Sequence, residues 1–153
     1  MEVPARAKLN LTLDVLGSRP DGYHDLRMVM QTIDLSDRLT LKAKEGKGIC
    51  VYTNLHFLPN NEKNLAAQAA LVWWETRKEP PQGLDITIDK RIPVCARMAG
   101  GSSDAAAVLR ALNAMEDTPL SPMELARVGE RVGSDVPYCV LGGTALAEGR
   151  GEI

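Results

Sequence analysis

The sequence predicts an α+β fold. Segments with strand patterning crowd the first third of the chain, and helical patterning dominates the remainder without regular strand–helix alternation. Ala7, Leu9, Leu11, Leu13 and Val15 alternate with Lys8, Asn10, Thr12 and Asp14, the period of a strand with one buried face. Gly17 and the turn-rich Ser18-Arg19-Pro20-Asp21-Gly22 close it. Apolar stretches at residues 26–33 and 38–42 continue an antiparallel sheet, and Glu45-Gly46-Lys47-Gly48 reads as a hairpin turn into Ile49-Cys50-Val51-Tyr52.

Asn60 or Asn61 is placed to cap a helix running to about residue 78, where Leu65, Ala69, Val72 and Trp73 share a face and Pro80-Pro81 stops it. Trp73 and Trp74 read as helix packing. Leu84, Ile86 and Ile88 alternate with Asp85, Thr87 and Asp89 as a further strand. After a loop at 92–101, a second helix starts near Ser102 with the stripe Val108, Leu109, Leu112 and Met115. Ser121-Pro122-Met123-Glu124 reads as a capping box with proline in the first turn. Gly133 is placed to end that helix in a left-handed conformation, with strands after it at 137–141 and 144–148. No repeat or linker divides the 153 residues, which suit one domain.

Composition narrows the function classes. A net charge of -2 supplies no basic surplus to replace counterions on nucleic acid, so no nucleic-acid partner is expected. No apolar run approaches the ~20 residues that cross a bilayer, and the first ten residues lack the charged-then-apolar pattern of a signal peptide. Cys50, Cys95 and Cys139 are scattered without a CxxC pair, which reads as reduced core thiols of a cytoplasmic protein rather than metal ligands. His56 reads as a surface residue.

Four stretches are candidates for chemistry, each with two readings. Ala99-Gly100-Gly101-Ser102-Ser103-Asp104 is either a flexible loop with ordinary caps or a phosphate cradle, since adjacent glycines and a helix start expose backbone amides. It is neither a Walker A loop nor a nucleophile elbow. Asp135, in Gly133-Ser134-Asp135-Val136-Pro137, is a turn residue or a general base for a substrate hydroxyl. Lys8 and Asn10, two apart on a strand, point the same way, toward solvent or toward a polar site. Tyr23 and His24 sit on an exposed turn, or they stack on and hydrogen-bond a base.

Taken together and in order, Lys8-Leu9-Asn10, Arg19 through His24, Ile92-Pro93 through Ala107, Gly133 through Val136 and Gly142-Gly143-Thr144-Ala145 resemble the GHMP kinases over essentially the whole chain. Within them, Asp21-Gly22-Tyr23-His24 points to the 4-diphosphocytidyl-2-C-methyl-D-erythritol kinases. The resemblance implies a ribosomal protein S5 domain 2-like fold, an antiparallel-rich mixed sheet with helices packed on it. It implies that residues 1–153 form the N-terminal, ATP-binding domain. The implied activity is ATP-dependent phosphorylation of the 2-hydroxyl of a cytidine diphosphate conjugate of methylerythritol, in non-mevalonate isoprenoid precursor synthesis. By position, Asp135 is then the catalytic base and Lys8 its partner. Asn10 binds the methylerythritol part, and Tyr23 and His24 the cytidine. Ala99, Gly100, Gly101, Ser102 and Ser103 wrap the ATP phosphates, and Asn64 lies near the adenine. Mg2+ is implied on the phosphates without direct protein ligation; a homodimer is left open.

Two departures bear on this reading. Arg97 stands where the family pattern has glycine, so the position is either strained, if it needs φ > 0, or a new phosphate contact. The chain also stops about where the resemblance places the start of a second domain, so these 153 residues are expected to fold but to turn over poorly. The rival readings are another GHMP-type kinase, a nucleotide-binding fragment without turnover, and an RNA-binding module on the shared fold.

Overall fold

The computed structural model describes residues 1–149. Along the chain run β1 (Glu2–Ser18), β2 (His24–Lys44), β3 (Gly48–Thr53), α1 (Leu65–Arg77), β4 (Gly83–Asp89), α2 (Gly100–Ala114), α3 (Pro122–Glu130), α4 (Val136–Leu141) and β5 (Thr144–Gly149). The stretches expected as two strands at 26–33 and 38–42 form the single strand β2. One edge of β2 pairs with β1, while the other pairs with β4 over 38–44 and with β5 over 26–31. The α+β expectation holds, with a mixed sheet of five strands and four helices among the described residues.

Leu39, Leu41, Ile49, Val51, Leu84, Ile86 and Ile88 point to one face of the sheet, where residues from all four helices complete the core. Thr40, Lys42, Tyr52 and Thr87 point to the other, exposed face. Trp73 and Trp74 are buried in the core, as the helical spacing indicates. Deleting a side chain of that size typically costs about 3–5 kcal/mol.

Several expectations fail for identifiable reasons. The turn after β2 is not a hairpin. β4 lies between β2 and β3, and β3 pairs with β4 in parallel, because α1 carries the chain across from β3 to β4. The turn bridges the end of β4 so closely that a Cβ on Gly83 would lie 2.5 Å from the Lys44 carbonyl oxygen. The β1 alternation also fails beyond Ala7: Leu11 is 57% and Val15 62% exposed. Register shifts interrupt the pairing between Arg6 and Lys8, between Asn10 and Thr12 and between Val15 and Gly17; at the last two Leu11 and Leu16 are extra residues of β1, and each of those shifts flips the faces beyond it.

The α1 cap is Asn64, not Asn60 or Asn61; its side chain accepts from the Ala66 amide, and Lys78 ends the helix at φ 56°. Helix α2 begins at Gly100 rather than Ser102, and Met115 is exposed. The capping box at Ser121 and Glu124 forms as expected, but the helix ends on Arg131 in an ordinary right-handed conformation rather than on Gly133. The short apolar stretch after Asp135 is α4, not a strand, because Pro137 suits a helix start and Val136, Tyr138 and Val140 are buried. Cys50, Cys95 and Cys139 are free thiols, although Cys95 is exposed rather than core.

Candidate functional site

A cavity of about 680 Å³ opens between β1, the loop preceding α2, and the segments that start α1, α2 and α4. Strand pleating aims Lys8 and Asn10 into it together, and the Lys8 Nζ donates to Asn10 Oδ1 at 2.9 Å. The shift at Leu11 then returns Leu13 to this side, where Leu26 and Met28 of β2 join it as an apolar wall. Asp135, half-buried at the start of α4, enters from the opposite end of the chain. Its carboxylate makes no cap hydrogen bond to α4.

The loop between β4 and α2 is unusual in its backbone. Cys95, Arg97 and Ala99 hold φ of 63°, 57° and 57°. At Ala99 and Gly100 a left-handed residue precedes a helical one, which turns successive amides toward one side, the geometry of an anion-binding nest. Holding that conformation costs each non-glycine residue roughly 1 kcal/mol or more. The loop is pinned from below where the Lys8 amide donates to the Met98 carbonyl at 3.0 Å. The nest runs directly into the N-terminus of α2, a helix of 15 residues whose first amides and dipole favour anions. Side chains crowd the helix start. A Cβ on Gly100 would sit 3.2 Å from Lys90 Nζ and 3.3 Å from Ile92, and one on Gly101 would sit 3.3 Å from Leu65.

Beneath the loop lies a charge cluster that sequence reasoning missed. Lys90 Nζ donates to Asp37 Oδ2 at 2.6 Å and to Asp104 Oδ2 at 2.9 Å, and each side chain is at most 4% exposed. Asp37 Oδ1 also accepts from the Arg91 and Ile92 amides. The cluster therefore ties the root of the loop to β2 and its exit to α2. Two carboxyls facing one buried ammonium cannot both stay charged at low cost. Burial pushes Asp37 up, but the Asp104 carboxyl, the loop amides and Lys90 outweigh it and leave Asp37 below the ordinary carboxylate value. Burial and then the neighbouring Asp37 hold Asp104 up, at about 8, against the pull of Lys90. Burial alone would lower Lys90, yet its two carboxyl neighbours raise it. The signal available in sequence was Asp104, which stands in the glycine-serine motif but had no role assigned to it.

The expected site residues divide into two groups. Lys8, Asn10, Asn64, Ala99, Gly100, Gly101 and Asp135 all line the cavity, although 127 positions separate Lys8 from Asp135. The Asn64 side chain is already engaged, capping α1 and donating to the Pro59 carbonyl. Ser102 and Ser103 are not among the lining residues, and the buried Ser103 hydroxyl donates instead to the Arg6 carbonyl. Tyr23 and His24 lie outside the cavity, at the end of the β1–β2 hairpin, where His24 approaches the Ser18 hydroxyl at 3.3 Å. Arg97 does occupy φ > 0, the strained alternative that its replacement of glycine raised.

Known proteins resemble this chain in sequence and in fold. The family described as the GHMP kinases N terminal domain matches residues 64–143, which takes in α1, the nest, α2 and Asp135. The chain belongs to the GHMP kinases. It is 51% identical over 153 residues to a 4-diphosphocytidyl-2-C-methyl-D-erythritol kinase of Lachnoclostridium phytofermentans, covering all of this chain and 52% of that one. The enzyme of the same name from Brevibacillus brevis is 51% identical over 152 residues, again covering 52% of its length. A crystal structure of 4-(cytidine 5'-diphospho)-2C-methyl-D-erythritol kinase superposes with a TM-score of 0.81 at 38% identity, over 99% of this chain and 53% of that one. Homoserine kinase from Cytophaga hutchinsonii, at 21% identity and a TM-score of 0.74 over 96% of this chain and 48% of its own, shares the fold. The chain thus spans about half the length of the curated relatives it matches. Members of the GHMP kinases use ATP, and the amide nest at a helix start is suited to its phosphates.

Proposed function

We propose that this chain supplies the nucleotide-binding and catalytic half of a kinase. The enzyme would transfer the γ-phosphoryl group of ATP to the 2-hydroxyl of 4-diphosphocytidyl-2-C-methyl-D-erythritol. The observation that carries the reading is the convergence of Lys8, Asp135 and the Gly100-Gly101 helix start on one cavity. The relatives' shared name supports the choice of acceptor.

In this reading the loop amides and the α2 N-terminus hold the phosphates in line with the acceptor, and Asn64 borders the base. Asn10 orients the acceptor. Asp135 takes the proton from its hydroxyl as the new P–O bond forms and the bond to the β-phosphate oxygen breaks, releasing ADP. Lys8 offsets the charge gathering at the reacting oxygens. Phosphoryl transfer needs positioning and charge stabilisation more than covalent help, and these side chains offer both. Mg2+, carried on the ATP phosphates, would neutralise part of their charge. Tyr23 and His24 are the proposed cytidine contacts, reached from the hairpin end.

The test has two parts. Calorimetry measures ATP–Mg binding by the 153-residue chain. A chimera joining it to the second half of the Lachnoclostridium relative is then assayed for ADP release with cytidylated and uncytidylated acceptors. The reading expects ATP binding and turnover that requires the cytidylated acceptor. A chain without measurable ATP affinity would sink it, and turnover on uncytidylated alcohols would shift the assignment to another GHMP-type substrate.

A further inference from the structure

We propose that Arg97 is a phosphate-binding residue of this chain, its guanidinium pairing with the outer phosphates of the bound nucleotide. The inference rests on the nucleotide reading of the cavity. Arg97 lies in the loop that leads into the nest, at φ 57°, a conformation that glycine adopts freely and a long L side chain does not. Strain of this kind persists where the surroundings impose it, and it gathers at ligand clamps.

Nothing among the described residues accounts for the charge placed there. The Arg97 side chain is exposed, lines the cavity, and has no hydrogen bond or ion pair among them. The other cations of the cavity differ. Lys90 is consumed by Asp37 and Asp104, and Lys8 is engaged with Asn10. Lys63 also lines the cavity without an ion pair among the described residues, but it is carried on the segment before α1 and not on the loop that supplies the amides. Asp135, which shares the cavity, makes no ion pair with Arg97. A guanidinium carried on the same loop as the phosphate-facing amides presents a planar fork that matches two phosphate oxygens at once. The side chain therefore adds a full positive charge on the loop whose backbone amides face the phosphates.

The experiment compares wild type with Arg97→Gly and Arg97→Lys. Calorimetry reads the affinity for ATP, inorganic triphosphate and adenosine at about 50 and about 200 mM salt, and urea titration reads stability. Arg97→Gly is expected to raise the unfolding midpoint by relieving the backbone. It should weaken ATP and triphosphate binding about tenfold, flatten their salt dependence, and leave adenosine unchanged. Arg97→Lys should retain part of the affinity. Equal or tighter ATP binding by Arg97→Gly, with an unchanged salt slope, overturns the role of Arg97 while leaving the nucleotide reading intact. Wild type that binds neither ATP nor triphosphate overturns both.

Discussion

Replacing Asp104 with asparagine should flatten the dependence of stability on pH. Asp104 is buried and its pKa lies at about 8, against 3.8 for an ordinary aspartate, so the folded chain holds a proton that the unfolded chain lacks between those values. Stability then falls as pH rises through that window, by up to about 1.4 kcal/mol per pH unit for one full proton. Asp37 works in the opposite sense. Its lowered pKa contributes stability above 3.8 that is lost only at more acid pH, outside the window. An amide keeps the shape of a protonated carboxyl and an oxygen for Lys90, yet does not ionise in this range. From about pH 5 to pH 7 the wild-type chain should therefore lose up to ~3 kcal/mol that Asp104→Asn keeps. Urea unfolding, monitored by the fluorescence of the buried Trp73 and Trp74, measures both curves; groups that do not touch Asp104 cancel in the difference, and Asp37 and Lys90, which do touch it, titrate outside this range. Parallel curves across that range would show that Asp104 is charged in the folded state and that the account of the buried cluster is wrong.

The same geometry sets three further expectations. Gly83→Ala should destabilise the chain by more than about 1 kcal/mol in urea unfolding, because its Cβ meets backbone carbonyls of the 44–46 turn; a neutral substitution would contradict the strand order with β4 between β2 and β3. Gly100→Ala should weaken ATP binding in calorimetry with a smaller effect on stability, since the methyl pushes on Lys90 and Ile92 at the loop exit. In the chimera with the second half of the Lachnoclostridium relative, Asp135→Asn should lower kcat by about 10²–10⁴ with ATP affinity little changed. Retention of full rate would remove Asp135 from the mechanism.

Some of this architecture was legible because it depends on neighbours in sequence. The β4 alternation, the Ser121 capping box and the paired aim of Lys8 and Asn10 are local patterns with local causes. The glycine-serine loop was legible as a candidate for the same reason, since adjacent glycines before a helix expose backbone amides whatever they bind. The β1 reading went wrong at Leu11 because a strand register is set by its partner, and no pattern within β1 announces where β2 forces an extra residue. The 137–141 stretch misled because short apolar runs look alike in strands and buried helices, and only packing against α2 and α3 separates them.

By itself, then, the sequence determined the α+β class, the family resemblance and which residue types were available for phosphoryl chemistry. Tertiary structure decided the rest: the order β1-β2-β4-β3, the meeting of residues from both ends of the chain in one cavity, and the buried cluster of Asp37, Lys90 and Asp104. The physical reason is range. Backbone preference and side-chain periodicity act over a few residues, whereas burial and Coulomb attraction act through space, so Asp37 acquires its meaning only when folding removes water from it and Lys90 together.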